Sequence, residues 1–462
     1  MTVRAALALL VLVAPAARAL EVVAPRDGGV VLGAHAPVEV SGASAPPQVV
    51  LDGRPVAAAW APLGRGRWFA DVAVAAPGAH VLEVTVGGAR ARARFSSHLA
   101  TSVDAGDRVL ARTLATKRAR DLGWGWGPAV LLYGVQRFGA ASPQAARAHD
   151  LLRDYHAHHA ARGLPKIDHP DRCPPALTGL GLLRDHGDRT GEATAAQVAD
   201  YLRRERRNAL GAIDHLGSRS TLRTLTSLSG GLGLFTRRWV DSIWLDSLFM
   251  YALFAAQWGA HTGDAALRDF GLAQPGIFAR VLQDPRTGLH LHAWDLRRGQ
   301  PVGELWLRGN GWVAAAIVDM LEVAPAGDPR RAELEAILRP LLQGLADTQD
   351  AAGLWPTLLD RPDTYQEASG SALAAYAMAK AARLGVAPAA LRDRARPTLR
   401  SLTARLRPRP VGMSVTGTSI ATNAWPGPTW YRLTPRRDDV DWGVGAFLLL
   451  AHELRDQRWD AP

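Results

Sequence analysis

The residues with the clearest capacity for chemistry lie in Ile243-Trp244-Leu245-Asp246-Ser247-Leu248-Phe249-Met250, which sets one carboxylate inside an otherwise apolar run of helical character. A carboxyl group facing Trp244, Leu248 and Phe249 loses hydration. That favours its protonated form and would hold a proton ready near neutral pH, as a general acid requires. The plain alternative is a helical Asp that caps or is solvated, because perturbed carboxylates are also structural.

Four other groups carry ionisable or aromatic side chains next to apolar runs: Lys166-Ile167-Asp168-His169-Pro170, Gly288-Leu289-His290-Leu291-His292-Ala293-Trp294-Asp295, Trp306-Leu307-Arg308-Gly309-Asn310-Gly311-Trp312 and Tyr365-Gln366-Glu367-Ala368-Ser369-Gly370-Ser371. Asp168 is the second carboxylate; it precedes Pro174 and Pro175, so a helix N-cap is its alternative role. Trp306 and Trp312 flank an arginine and two glycines, which favours a binding site over core packing: an indole face stacks on a flat ring, and the Arg308 fork suits a carboxylate. Trp124-Gly125-Trp126 offers a further stacking wall or core packing, and Glu367 is placed to bond exposed amides at a helix N-terminus. His156 and His159 share a helix face without acids to complete a metal site, so they read as surface histidines. A Gly-rich phosphate loop and a serine nucleophile elbow are also missing, and no metal or cofactor is expected.

The elements that must position these groups differ along the chain. From residue 20 to 98 the pattern has period two, as in Val81-Leu82-Glu83-Val84-Thr85-Val86, with Asp52-Gly53 and Gly87-Gly88 as hairpin turns. This predicts a small all-β sandwich of immunoglobulin-like type. Over 99–462 six small-residue apolar runs, near 126–139, 174–186, 241–258, 310–323, 367–385 and 441–455, alternate with arginine-rich amphipathic helices. Buried helices alternating with half-exposed ones are what a closed ring of helical hairpins needs, so the region is expected to be an all-α (α/α)6 barrel, with an open solenoid as the alternative.

At the amino terminus, Arg4, the apolar stretch Ala5–Ala14 and Ala17-Arg18-Ala19 read as a signal peptide over residues 1–19, which predicts a periplasmic or secreted protein. Pro15 and Arg18 interrupt the run too early for a membrane anchor, and no later stretch reads as transmembrane. A single cysteine, Cys173, excludes an intramolecular disulfide. The net charge of +11 together with 15 tryptophans suits an acidic sugar as partner. Nucleic acid is disfavoured, because the arginines are scattered and not gathered into a stripe.

Over about residues 120–455 the chain resembles the unsaturated uronyl hydrolases of glycoside hydrolase families 88 and 105, most closely the unsaturated rhamnogalacturonyl hydrolases of family 105. The likeness rests on the Ile-Trp-Leu-Asp-Ser-Leu-Phe-Met, Trp-Leu-Arg-Gly-Asn-Gly-Trp and Glu-Ala-Ser-Gly-Ser-Ala stretches in that order, closed by Gly417-Thr418-Ser419 and Trp442-Gly443-Val444-Gly445-Ala446-Phe447. It implies an (α/α)6 barrel that removes a 4,5-unsaturated uronic acid from the non-reducing end of oligosaccharides left by polysaccharide lyases. The reaction is hydration of a vinyl ether: an acid protonates C4, water adds at C5, and the hemiketal opens with loss of the glycosidic link. The resemblance gives Asp246 the role of acid and base, and Asp168 that of binding sugar hydroxyls and keeping the proton on Asp246. It also makes His292, Trp306, Arg308 and Trp312 pocket residues. The chain departs from the family in an insertion around Ser218 to Phe235. A histidine expected shortly before Asp246 is missing; Phe235 to Arg238 stand there instead.

Three other readings remain open on the sequence. One is an unsaturated glucuronyl hydrolase acting on glycosaminoglycan, ulvan or gellan fragments. The next is a displacement glycosidase using Asp168 and Asp246. The last is a carbohydrate-binding protein that kept the barrel without catalysis.

Overall fold

A computed structural model describes residues 19–228 and 239–459. The leader read over 1–19 lies almost wholly outside the described residues, as do Phe235 to Arg238. Nine strands come first: β1 (Glu21–Ala24), β2 (Gly29–Leu32), β3 (His35–Ser41), β4 (Gln48–Leu51), β5 (Arg54–Val56), β6 (Ala61–Gly64), β7 (Arg67–Ala73), β8 (Gly78–Val86) and β9 (Ala89–Leu99). They make a four-stranded sheet in the order β1-β3-β7-β6 and a five-stranded sheet in the order β2-β9-β8-β4-β5. The β2–β9 pair is parallel. Alternation puts Leu82, Val84, Val38, Val40, Val72 and Phe95 into one shared core. Asp52-Gly53 joins β4 to β5 with both φ values positive (51° and 77°), the backbone that a tight two-residue hairpin needs.

Helices follow to the end: α1 (Ser102–Thr116), α2 (Trp126–Gly139), α3 (Ala145–Ala161), α4 (Pro175–His186), α5 (Glu192–Arg204), the short α6 (Thr221–Leu228), α7 (Leu253–Thr262), α8 (Ala265–Leu282), α9 (Leu307–Met320), α10 (Pro329–Asp347), α11 (Ala368–Arg383), α12 (Ala390–Ala404), the short α13 (Thr429–Leu433) and α14 (Asp441–Glu453). The inner set is α2, α4, α7, α9, α11 and α14. Cover explains its composition: every residue from Leu307 to Met320 and from Ala368 to Ala381 is buried. The outer helix α5 instead buries one stripe, including Ala195, Val198 and Leu202, and exposes its arginines. The ring closes where α14 packs on α2, and glycine is needed there: a Cβ on Gly134 would stand 2.4 Å from the Gly445 carbonyl oxygen. Within the ring, buried Asp319 accepts hydrogen bonds from Tyr133 (2.7 Å), Tyr376 (2.6 Å) and Lys380 (2.5 Å), which ties α2, α9 and α11 together.

One inner element differs from the helix expected over 241–258. Ser242–Trp244 is a strand, β10, paired with β11 (Ala293–Asp295), which in turn pairs with β12 (Gln300–Val302). Asp246 lies in the turn that follows, and a π turn over Leu248–Ala252 leads into α7. Periodicity misses this because a three-residue buried strand and a buried helix are both continuous apolar runs.

The sandwich is seated on the barrel and does not hang from a linker. Ala404, at the end of α12, is part of the sandwich core; the Arg26 amide donates to the Ala404 carbonyl (2.9 Å), and Arg400 pairs with Asp71 (2.6 Å).

Candidate active site

The inner helices all begin at one mouth of the barrel, and the groups singled out by chemistry lie at those beginnings. Asp246 is held there from two sides. Its carbonyl accepts from the Phe249 and Met250 amides (3.0 and 2.9 Å), which anchors it at a helix start, and the Leu245 amide donates to the His292 carbonyl (3.0 Å), which sets β10 against the segment carrying His292. The β10–β11 register thus brings the Asp246 carboxylate to 3.4 Å from His292 Nε2. The two atoms lack hydrogen-bond alignment, so Asp246 Oδ2 and His292 Nε2 are each buried without a protein partner. Such a pair of orphaned polar atoms is costly unless a substrate group completes it.

The far side of His292 is fixed by Tyr431, whose hydroxyl lies 2.6 Å from Nδ1. With Nδ1 accepting from that hydroxyl, the ring proton sits on Nε2 and points toward Asp246. Tyr431→Phe is therefore expected to lower kcat by about three- to tenfold, the worth of one buried hydrogen bond, as initial rates would read.

His215 covers Asp246 from another direction. Its ring stacks on Trp244 at 4.1 Å with 5° between planes, and its Nδ1 is 3.4 Å from Ser247 Oγ. Burial pushes the His215 pKa down to about 4, so the ring is neutral. His215 lies upstream of Asp246 in the chain. The insertion separates the two in sequence, and its described part is pinned back by Arg223, which reaches Asp214 (3.1 Å) and Asp241.

The charge state of Asp246 corrects the expectation drawn from its apolar neighbours. Burial does work to raise its pKa, but the neighbouring His292 outweighs burial and holds the carboxyl below the ordinary range. The helix amides at its position act in the same sense. The carboxyl that rises is Asp171, to about 7, through burial and through the negative charge of Asp246. Asp171 was passed over in the sequence. It sits in a short helical turn, Pro170–Arg172, whose backbone is gripped by Trp124: the indole Nε1 donates to the Arg172 carbonyl (2.9 Å). The carboxyl raised in part by the charge of Asp246 is thus Asp171. Asp168 is engaged by His169 Nδ1 (2.6 Å) and Lys166 Nζ (3.0 Å); against burial, these bonds hold its pKa down. Asp168 does not cap the next helix; the N-cap position of α4 is Pro174.

Three expectations about binding side chains are also corrected. Trp306 and Trp312 are 1% and 0% exposed, so neither gives an open stacking face. Trp306 packs on His292 (4.3 Å) and under the Arg308 guanidinium (4.6 Å), and Trp312 packs on Phe249 (5.0 Å). The two terminal nitrogens of Arg308 are spent on the protein: they donate to Ser419 Oγ (2.6 Å), the Ile420 carbonyl (3.0 Å) and Thr422 (3.2 Å), and one lies 3.6 Å from Glu367, while Nε is buried without a protein partner. Glu367 in turn bonds the Ser369 and Gly370 amides, as its place at a helix start predicts. Trp124 is buried and stacks on Tyr155. The partly exposed indoles at the mouth are Trp126 and Trp442, 4.4 Å apart, and Trp239 and Trp425, 4.9 Å apart. His156, read as a surface residue, is buried and bonded to Thr178 (3.0 Å).

Comparison with known proteins gives concordant findings. The family model of Glycosyl Hydrolase Family 88 matches residues 107–457. The unsaturated rhamnogalacturonyl hydrolase YesR of Bacillus subtilis (strain 168) is 28% identical over 367 residues, covering 79% of this chain and 97% of its own. Among solved structures, a possible member of the GH105 family from Salmonella enterica superposes with a TM-score of 0.66 at 22% identity, over 78% of this chain and 96% of its own. The unsaturated glucuronyl hydrolase of Bacillus sp. GL1 does so with a TM-score of 0.58 at 17% identity, over 78% and 98%. These structural likenesses give the six-hairpin fold of the helical region.

Proposed function

Because the chain belongs to glycosyl hydrolase family 88 and is a hydrolase of the unsaturated uronyl kind, we propose that it releases a 4,5-unsaturated uronic acid from the non-reducing end of lyase-generated oligosaccharides of the rhamnogalacturonan or pectin type. The observation that carries this reading is Asp246 Oδ2 facing His292 Nε2 at 3.4 Å with neither atom hydrogen-bonded to the protein, together with Asp171, which burial and the Asp246 charge push up to about 7.

Near neutral pH Asp171 keeps its proton while Asp246 is ionised, so one proton is available to the two carboxyls. Asp246, whose Oδ2 faces His292, takes up that proton from Asp171 and passes it to C4 of the vinyl ether as the double bond opens. Positive charge then develops at C5 and the ring oxygen, and the ionised pair stabilises it. A water adds at C5 and returns its proton to Asp246, which restores the pair. The hemiketal opens by breaking the bond from C5 to the ring oxygen, and the hemiacetal at C1 expels the leaving sugar. His292, fixed by Tyr431, keeps Asp246 oriented, and neutral His215 shields it from bulk water.

The test is a screen that follows loss of the ultraviolet absorbance of the unsaturated uronyl group. Fragments of pectin, rhamnogalacturonan, glycosaminoglycan and ulvan, each made by a lyase, are compared. Fastest loss on rhamnogalacturonan or pectin fragments supports the proposal. Fastest loss on glycosaminoglycan or ulvan fragments would replace it with an unsaturated glucuronyl hydrolase.

A further inference from the structure

A cleft of about 390 Å³ opens between the β-sandwich and the barrel mouth, and six arginines line it against three carboxylates, Glu21, Glu39 and Asp363. Two of those acids are shared. Buried Glu39 pairs with Arg67 (3.0 Å) from the sandwich and with Arg405 from the barrel, while Asp363 pairs with Arg65 (3.1 Å) and Arg432 (2.6 Å), again one from each side. Arg26 gives its Nε to a carbonyl, that of Arg405 (3.0 Å), and the Arg405 Nε is itself buried without a partner. Burial and the repulsion of Arg407 work against the charge on Arg26, which Asp438 and Glu21 support. Partly desolvated guanidinium groups in that state bind carboxylate or sulfate oxygens through paired donors.

The cleft also borders the segment that fixes His292: Arg432 in its wall follows Tyr431, whose hydroxyl lies 2.6 Å from His292 Nδ1. Its barrel wall includes Tyr365 and Gln366, and Gln366 Oε1 accepts from Arg405 (2.5 Å). The next residue, Glu367, faces Arg308, and the Arg308 fork holds Ser419 at the mouth. The family match begins at residue 107, so half of this cleft comes from a domain outside it.

Building on the proposed function, we propose that this cleft is an extended subsite for an anionic sugar unit, carrying a carboxylate or a sulfate ester, further along the oligosaccharide whose unsaturated end enters the barrel. The sandwich thereby acts in substrate selection. It contributes arginines that favour long acidic fragments over neutral ones.

The test is direct binding to the full-length protein by calorimetry at low and high salt, using three saturated probes that cannot be turned over: an oligogalacturonate, a sulfated oligosaccharide and a neutral malto-oligosaccharide. Wild type is compared with Arg65→Gln/Arg432→Gln and with Arg26→Gln; Arg65 is exposed and Arg432 half-buried, and a melting curve checks that each variant folds. The expected result is salt-sensitive binding of one or both anionic probes, weakened about tenfold in each variant, as loss of one or two charge-assisted hydrogen bonds implies. The better-bound anionic probe names the anion. Equal affinity in wild type and variants, no binding by wild type, or equal binding of the neutral probe would overturn the proposal. Loss of ultraviolet absorbance on unsaturated fragments is read separately, so failure of the catalytic reading stays distinct.

Discussion

Asp246→Asn is expected to lower kcat by about 10³-fold, in the range typical of removing a general acid, while leaving the fold and sugar binding in place. The side chain keeps its shape, and the backbone carbonyl at that position still receives the Phe249 and Met250 amides, so the helix start is preserved. What is lost is the group that gives a proton to C4 and takes one from water. Initial rates on an unsaturated fragment, with binding of a saturated analogue measured alongside, read the two properties separately. A variant that kept wild-type turnover would remove Asp246 from the reaction.

The second large effect concerns Asp171. Asp171→Asn is expected to reduce kcat/KM by about 10²-fold at neutral pH and to change the pH profile. In the wild type the rate should fall as pH rises through about 7, where the pair loses its proton. On the acid side it should fall as Asp246, held below the ordinary range, takes up a second proton and no ionised carboxylate is left to stabilise the charge at C5. With Asp171→Asn the alkaline fall near 7 should vanish. Stability provides a second readout. The Asp171 carboxyl ionises at an ordinary 3.8 when unfolded and near 7 when folded, so between those values the native state binds the extra proton. Its contribution to stability is then full below pH about 4 and is lost as pH rises toward 7. Melting curves of Asp171→Asn should therefore gain on wild type at alkaline pH but not at acid pH. A purely structural Asp171 would shift melting without moving the alkaline limb of kcat/KM.

Much of this molecule is legible in the sequence where burial imposes a pattern. The run at 126–139 coincides with α2, and the composition of α9 and α11 follows from being covered on every side. The turns at Asp52-Gly53 and Gly87-Gly88 follow from backbone sterics alone. The site was legible in part. The Asp246 run was found by its lone carboxylate, yet the direction of its pKa was not. Burial speaks for protonation, whereas the helix start and His292, which decide the matter, are brought to the carboxylate by the fold, His292 from the position before β11. Asp171 lies in a Pro-Asp-Arg-Cys-Pro stretch that reads as a loop, and only the approach of that loop to Asp246 gives it a role. Arg308, Trp306 and Trp312 have binding-site composition, but composition does not tell whether a guanidinium fork faces a ligand or the Ser419–Thr422 backbone.

The central claim is hydration of a double bond in place of displacement at the anomeric carbon. The most direct measurement compares two oligosaccharides that differ only at the terminal uronic acid, one 4,5-unsaturated and one saturated. Ultraviolet absorbance and released reducing sugar are followed together with wild-type protein. Vinyl-ether hydration predicts that absorbance falls in step with sugar release from the unsaturated compound and that the saturated compound stays intact. Cleavage of the saturated compound at a comparable rate, or persistence of the absorbance with folded protein, would contradict it.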